Sequence, residues 1–458
     1  MEILPILISL ILLMYLAYRG WSVIVVSPLI SVLAVILSGD QPILASYTQI
    51  FMKALGGFIT NFFPVFVLGS IFGILMDKSG FAACIAGSVL KAFKGRFVIM
   101  AIVLACSILT YGGVSLFVVA FSVYPIANNM FHNSNLPKRL IPACIALGSF
   151  TFTMIALPGT PSIQNAIPMP YFGTDIYAAP LLGIISSLLM CSLGVGWINY
   201  RVKLAQQKGE GYGLHQYISD MNEKTKQPNF ILSISPIILM LASNFAFNEF
   251  IIPSLDTAYL AQEKFGKIKI DAVKGIWSIV AAMSITCFYT LIIVRKKLIS
   301  ISENIKQAVS NSFLPIFNTA SEVGYGAVIS SLSGFAIIKS MLAMLSASPL
   351  AKIAISVNIL AGITGSSSGG LSIALQTLGD SFAEMSTTYK INPEILHRLS
   401  TIASSGLDTL PHCGAVITLL AICGLKHKES YFDIFMVSVV FTVLTCALIV
   451  IYGSTIGF

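Results

Sequence analysis

Long, continuously apolar runs separated by short polar connections dominate the chain. In the first half they cover 3–18, 22–37, 51–76, 81–93, 97–127, 140–168 and 178–197. In the second they cover 230–247, 276–294, 313–338, 341–345, 352–362, 373–378, 396–425 and 432–451. None alternates apolar with polar residues as the strand of a membrane barrel would, so each predicts a helix. Residues 300–311 read as a separate short amphipathic helix. Four runs or junctions are interrupted by poor helix formers: Thr110-Tyr111-Gly112-Gly113, Pro158 to Asn165, Thr364 to Ser372, and Leu407 to His412. In lipid a broken backbone survives only where protein or a water-filled cavity satisfies its N–H and C=O groups. The interruptions are therefore surface loops or functional breaks.

Composition settles the class. The 458 residues are 56% hydrophobic and 10% charged, against roughly 25% charged in soluble proteins. The fold class is an all-α polytopic membrane protein. The net charge of +8 does not indicate nucleic acid, because Lys and Arg fall mainly in connections, where they set orientation. The eight cysteines are scattered in apolar runs without a C-x-x-C pair. They indicate packing, with neither a metal site nor a disulfide framework. The first run lacks a cationic flank and a cleavage motif, and reads as a retained span.

An internal repeat organises the chain. Gly112-Gly113-Val114-Ser115-Leu116 resembles Gly369-Gly370-Leu371-Ser372-Ile373 at an offset that also pairs Gly69 with Gly326. A proline-broken run follows each, with Pro161-Ser162 in one and Pro411-His412 in the other. The first half is 1–198, with a hairpin at about 97–130 and a broken helix at about 140–168. A cytoplasmic linker, 199–228, leads to the second half, 229–458, with a hairpin at about 350–382 and a broken helix at about 396–425. Placing 199–228 and Arg295–Lys297 inside puts both termini outside. The scheme has about ten transmembrane helices, two re-entrant hairpins and two broken helices. Its halves have opposite topology, as in inverted-repeat secondary transporters. A twelve-span arrangement with both hairpins crossing also fits hydropathy.

The breaks carry the candidate chemistry. A helix N-terminus offers free N–H groups to an anion, hydroxyls add adaptable donors and acceptors, and glycines allow close backbone approach. The predicted substrate-binding set is Tyr111, Gly112, Gly113, Ser115, Thr160, Ser162, Gln164 and Asn165 from the first half. Ser366, Ser367, Ser368, Gly369, Gly370, Ser372 and Thr409 join from the second. Small residues also line helix–helix contacts in membranes, so packing is the plain alternative. Asp408 and His412 stand one turn apart in an apolar run. An intramembrane acid is a functional candidate, and the pair is suited to proton coupling or to a fixed hydrogen bond that shapes the break. Glu322 is a second coupling acid or a partner of backbone at the helix-packing glycines. Gly113-Val114-Ser115 mimics a nucleophile motif, but its twin around Ser372 argues against an enzyme.

At these residues the chain resembles the gluconate–proton symporter (GntP) family of the wider ion-transporter superfamily. The matching segments are 110–127, 156–168, 363–375 and 405–420. The segment 407–420 with Lys426-His427-Lys428 is similar to members for short hydroxy acids such as 3-hydroxybutyrate. The resemblance implies proton-coupled uptake of gluconate or a related small hydroxy-carboxylate across the inner (plasma) membrane. It also implies an elevator-like motion, no cofactor, and a homodimer in the lipid bilayer. Sodium coupling and, from another class, an anion channel stay open.

Overall fold

The computed structural model describes residues 2–19, 21–93, 97–114, 116–213, 228–270, 273–295, 300–337, 340, 348–411 and 413–455. Ser115 and His412 lie outside the described residues. Regular structure among those described is helical, with no strand.

Three helices open the chain: α1 Leu4–Tyr18, α2 Val23–Ser38 and α3 Ile43–Lys78. The 97–127 run does not form one helix. After α4 Phe81–Ala92 it folds as α5 Val98–Tyr111 and α6 Leu116–Asn133, turning at Gly112 and Gly113. The next run fragments into α7 Ile141–Ser149, α8 Phe152–Ile155, α9 Ile163–Ala166 and α10 Met169–Phe172. Long helices resume with α11 Pro180–Gln207, α12 Phe230–Ser254, α13 Lys274–Val294 and α14 Ile301–Ser331. The amphipathic segment 300–311 is thus no separate helix. Ser300 caps it, and it runs unbroken through Pro315.

A second hairpin follows, α15 Pro349–Thr364 and α16 Ser367–Thr388, then α17 Pro393–Ser404, α18 Gly414–Cys423 and α19 His427–Ser454. Among the described residues, six helices are long and apolar enough to cross a membrane.

Local chemistry explains the stops. Gly365, at φ 62°, ends α15 in a conformation that side chains rarely adopt. Ser366 then caps α16, accepting from Gly369 N at 3.1 Å. Gly113, at φ 79°, turns the first hairpin. Each tip therefore turns at a glycine of positive φ, Gly113 in one and Gly365 in the other. Gly369-Gly370, matched by letter to Gly112-Gly113, lies instead inside the first turns of α16.

Contacts define two ends of the molecule. Arg139 (before α7), Arg201 (late in α11) and Asp433 (early in α19) meet at one end. Phe172, Asp175, Lys274 and Asn392 line a cavity of about 270 Å³ at the other. The α7–α10 chain runs from the first end to the second, and α17–α18 runs the opposite way. The first hairpin returns to the Arg139 end, where Tyr212 N donates to Asn135 Oδ1 at 3.1 Å. The second starts and finishes at the opposite end, with Ser348 bonded to Ser454 at 2.6 Å and Asn392 in the cavity wall. The long helices α3 and α14 pack together beside the hairpins, with Ser70 Oγ donating to Ala308 O at 2.6 Å.

Candidate functional site

Each hairpin tip packs on the break of its own half. At 156–162 the chain leaves α8 and turns at Gly159, φ 84°. Gly159 N donates to Ile176 O at 2.9 Å, and Tyr111 donates its hydroxyl to Pro158 O at 2.8 Å. A Cβ on Gly113 would stand 3.0 Å from Pro161, so the tip lies directly on the break. Ser162 spans the break, donating to Met154 O at 2.6 Å and accepting from Asn165 N at 3.3 Å. The short α9 that it caps has four residues. Aligned dipoles over one turn are too few for the anion-binding helix end that the sequence suggested.

Asn165 is committed to the protein. Its Nδ2 donates to Thr160 O and Ile176 O at 3.0 and 2.9 Å. Its Oδ1 accepts from His397 Nε2 at 3.1 Å and Arg398 Nη1 at 3.0 Å. With Oδ1 accepting, His397 carries its proton on Nε2 and takes the Thr174 hydroxyl on Nδ1 at 2.6 Å. Arg398 is fully buried and also binds Ile176 O at 3.1 Å and Ala178 O at 2.8 and 3.0 Å. A cation from the second half thus braces the first break. Asn165 has no hydrogen-bonding capacity left for a ligand, which removes it from the predicted binding set. Thr160, buried beside it, keeps a hydroxyl without a partner, and Gln164 borders it, nearly buried.

The second break, 405–413, is held differently. Thr409 donates to Ser438 at 2.7 Å, and its carbonyl accepts from Tyr431 at 3.2 Å. These bonds turn Thr409 toward α19 and away from a ligand, against the sequence reading. Asp408 is buried at 6% exposure. Its Oδ1 accepts from Ser405 at 3.1 Å, and the same hydroxyl lies 3.0 Å from Phe150 O. The start of the second break therefore meets the α7–α8 junction, at Ser405 and Phe150. The proposed Asp408–His412 pair cannot be traced, His412 being outside the described residues.

The second tip is crowded with serines. Ser367 bonds Ser404 at 2.8 Å, and Ser368 lies 3.4 Å from Thr319 of α14. Ser372 is buried within α16 without a partner. Gly369 and Gly370 serve packing. A Cβ on Gly369 would collide with the Glu322 carboxylate, and one on Gly370 with the backbone of α15 at Ala361. Glu322 is 4% exposed, and its Oε2 has no partner. It faces the first turn of α16 at Gly369, whereas Gly324, the glycine nearest to it in sequence, packs on Phe51.

The comparisons with known proteins decide the family. A family model for GntP family permeases matches residues 1–451. The chain belongs to the GntP permease family. A family relative, an uncharacterized transporter YxjC of Bacillus subtilis (strain 168), is 42% identical over 469 residues, 99% of each chain. Among solved structures, the YdaH transporter of Alcanivorax borkumensis, noted for an unusual topology, aligns with TM-score 0.58 and 14% identity over 90% of this chain and 89% of its own. Neisseria gonorrhoeae MtrF, described with a class of antimetabolite efflux pumps, aligns with TM-score 0.53 and 13% identity over 89% and 84%. The family membership makes this chain a multi-pass membrane transporter, and the two structural likenesses extend to the fold.

In this permease, sequence reasoning missed Arg398 and His397. The signal was present: Arg398 sits two residues into the 396–425 run, and a cation within a span marks function or structure as an acid does. Ser404, Ser405 and Thr319 were also missed. Nothing in their local sequence separates them from other small residues of membrane helices.

Proposed function

We propose that this permease takes up gluconate or a closely related small hydroxy-carboxylate by symport with protons. The observation that carries the reading is the contact of Ser405, at the start of the second break, with Phe150 of the α7–α8 junction, with buried Asp408 beside it. Continuous helices would leave no free backbone groups mid-molecule; broken helices do. The unpartnered Thr160 and Ser372 hydroxyls, with Ser366 and Ser368 at the second tip, supply donors suited to a hydroxylated anion. Arg398 adds fixed positive potential behind the first break. Asp408 is the coupling acid, and Glu322 is a second protonation site against the moving hairpin.

In this reading the hairpins are re-entrant and the halves form an inverted repeat. The Arg139–Arg201 end is cytoplasmic, and the substrate-bearing part slides against α3 and α14. The membrane is the inner (plasma) membrane, and the unit is a homodimer. Substrate chemistry and coupling are tested together in proteoliposomes. A panel of gluconate, 3-hydroxybutyrate and non-hydroxylated short acids is offered under an imposed proton gradient or an imposed sodium gradient. Hydroxy-acid accumulation driven by the proton gradient alone is the expected result. Accumulation that follows sodium and ignores protons refutes the coupling, and electrogenic flux that never exceeds equilibrium makes the protein a channel.

A further inference from the structure

A second cavity, of about 470 Å³, opens at the Arg139–Arg201 end. Four cations (Lys138, Arg139, Arg201 and Lys428) and two carboxylates (Glu210 and Glu429) line it. Glu210 is paired with a cation, whereas Glu429 keeps its charge and is held only by a backbone N–H. Arg139 grips Glu210 through Nε and Nη2 at 2.6 and 3.0 Å, and Glu429 accepts from Lys426 N at 2.7 Å. Arg139 and Arg201 also share Asp433, which is 1% exposed and accepts in addition from Trp197 Nε1 at 3.1 Å.

The two ammonium groups are left over. Neither Lys138 nor Lys428 enters any ion pair among the described residues. Lys428 is at the surface, but Lys138 is only 7% exposed. Its Nζ lies 6.0 Å from the Tyr124 ring centroid. A buried ammonium without a counter-ion is costly. Positive charge set on a membrane protein's rim for orientation alone stands free in water; this lysine is largely enclosed and lines the cavity. The cavity wall is also fixed in place. Tyr212 N donates to Asn135 Oδ1 at 3.1 Å, and a Cβ on Gly211 would collide with that same amide.

We propose that this cavity binds a phosphate monoester, Lys138 and Lys428 taking its two charges. A phosphate monoester carries about −1.5 to −2 charges near neutrality, which suits a lining of four cations against two carboxylates, and lysine binds phosphate as a point charge. The volume holds a phosphate with a short organic group, and basic pockets between membrane helices take lipid head groups. The site bridges the halves, with Lys138 and Arg139 before α7 and Lys428 in α19. Its occupant ties the two halves together at that end. The inference stands independently of the transported substrate.

The full chain, purified in uncharged detergent, is melted with glycerol 3-phosphate or with chloride at equal ionic strength. The phosphate gives a saturable rise in Tm of roughly 1–3 °C, and chloride does not. Lys138→Met, which keeps the packing volume, and Lys428→Gln each weaken the apparent affinity more than about 5-fold. If Lys138→Met does not fold, Lys428→Gln carries the test alone. Nanodiscs of phosphatidic acid against phosphatidylcholine separate the sources: stabilisation there identifies a lipid head group, and its absence beside a soluble-phosphate response identifies a metabolite. Equal shifts with chloride, shifts that survive the lysine substitutions, or no shift in either arm overturn the proposal.

Discussion

The two breaks share an architecture and differ in what holds them. Leu157-Pro158 and Leu410-Pro411 mark the same turn in each. At the first, Arg398 and His397 reach across from the second half and use up Asn165 and the carbonyls of Ile176 and Ala178. At the second, bonds to α19 fix one side, while Asp408 keeps a single hydroxyl partner. Both buried candidate acids, Asp408 and Glu322, belong to the second half. The lesson is a division of labour. The first break is braced by a buried cation from the other half, and the second half holds both buried candidate acids.

Removing the brace has the largest expected effect. Arg398→Met strands Ala178 O and takes a donor from Asn165, which costs about 2–4 kcal/mol. Thermal melts of the purified protein check it, and an unchanged Tm means the brace carries no stability. Gly183→Ala comes next. Its Cβ would collide with Ala156 O, a backbone atom of the first break, while standing 3.3 Å from both Arg398 Nε and Pro158. A backbone atom cannot swing aside, so the cost is about 2–3 kcal/mol.

Gly369→Ala is the matching probe of the second half. Its Cβ meets the end of a flexible side chain, Glu322, which can swing aside for about 1 kcal/mol. Combining it with Glu322→Ala removes the clash, and a double-mutant cycle should recover most of the loss. If Gly369→Ala proves as costly as Gly183→Ala, the contrast between the two halves fails.

The smallest effect lies at the far end. Hydrogen bonding from Arg139 holds the Glu210 carboxyl below its ordinary 4.5. A carboxyl lowered in the folded state contributes stability above that value and loses it as pH falls. Glu210→Gln should therefore lower Tm by less than about 1 °C near neutrality, because the pair is partly exposed. The gap to wild type should close as pH drops below 4.5. A gap that widens in acid contradicts the pairing.

Much of this was legible in the sequence. Apolar runs gave the helices, and clusters of Gly, Pro and Ser marked every break, because membrane backbone tolerates such residues in few places. Register was not legible. Gly369-Gly370 copies Gly112-Gly113 in letters, but the turn is made at Gly365, where a positive φ is needed. The direction of side chains was equally hidden. Asn165 and Thr409 look like ligand groups, but long-range partners 232 and 29 residues away claim them. Arg398 was overlooked because its partners are carbonyls of a distant loop, which no local pattern announces.

Asp408, buried in the second break, is the acid proposed to couple the proton to the substrate. The direct measurement uses Asp408→Asn in proteoliposomes and compares two modes for one hydroxy acid. Exchange of labelled for unlabelled substrate needs binding and movement; accumulation against a gradient needs the proton as well. The account predicts that the variant still exchanges but no longer accumulates when a proton gradient is imposed. Accumulation at the wild-type level would contradict it.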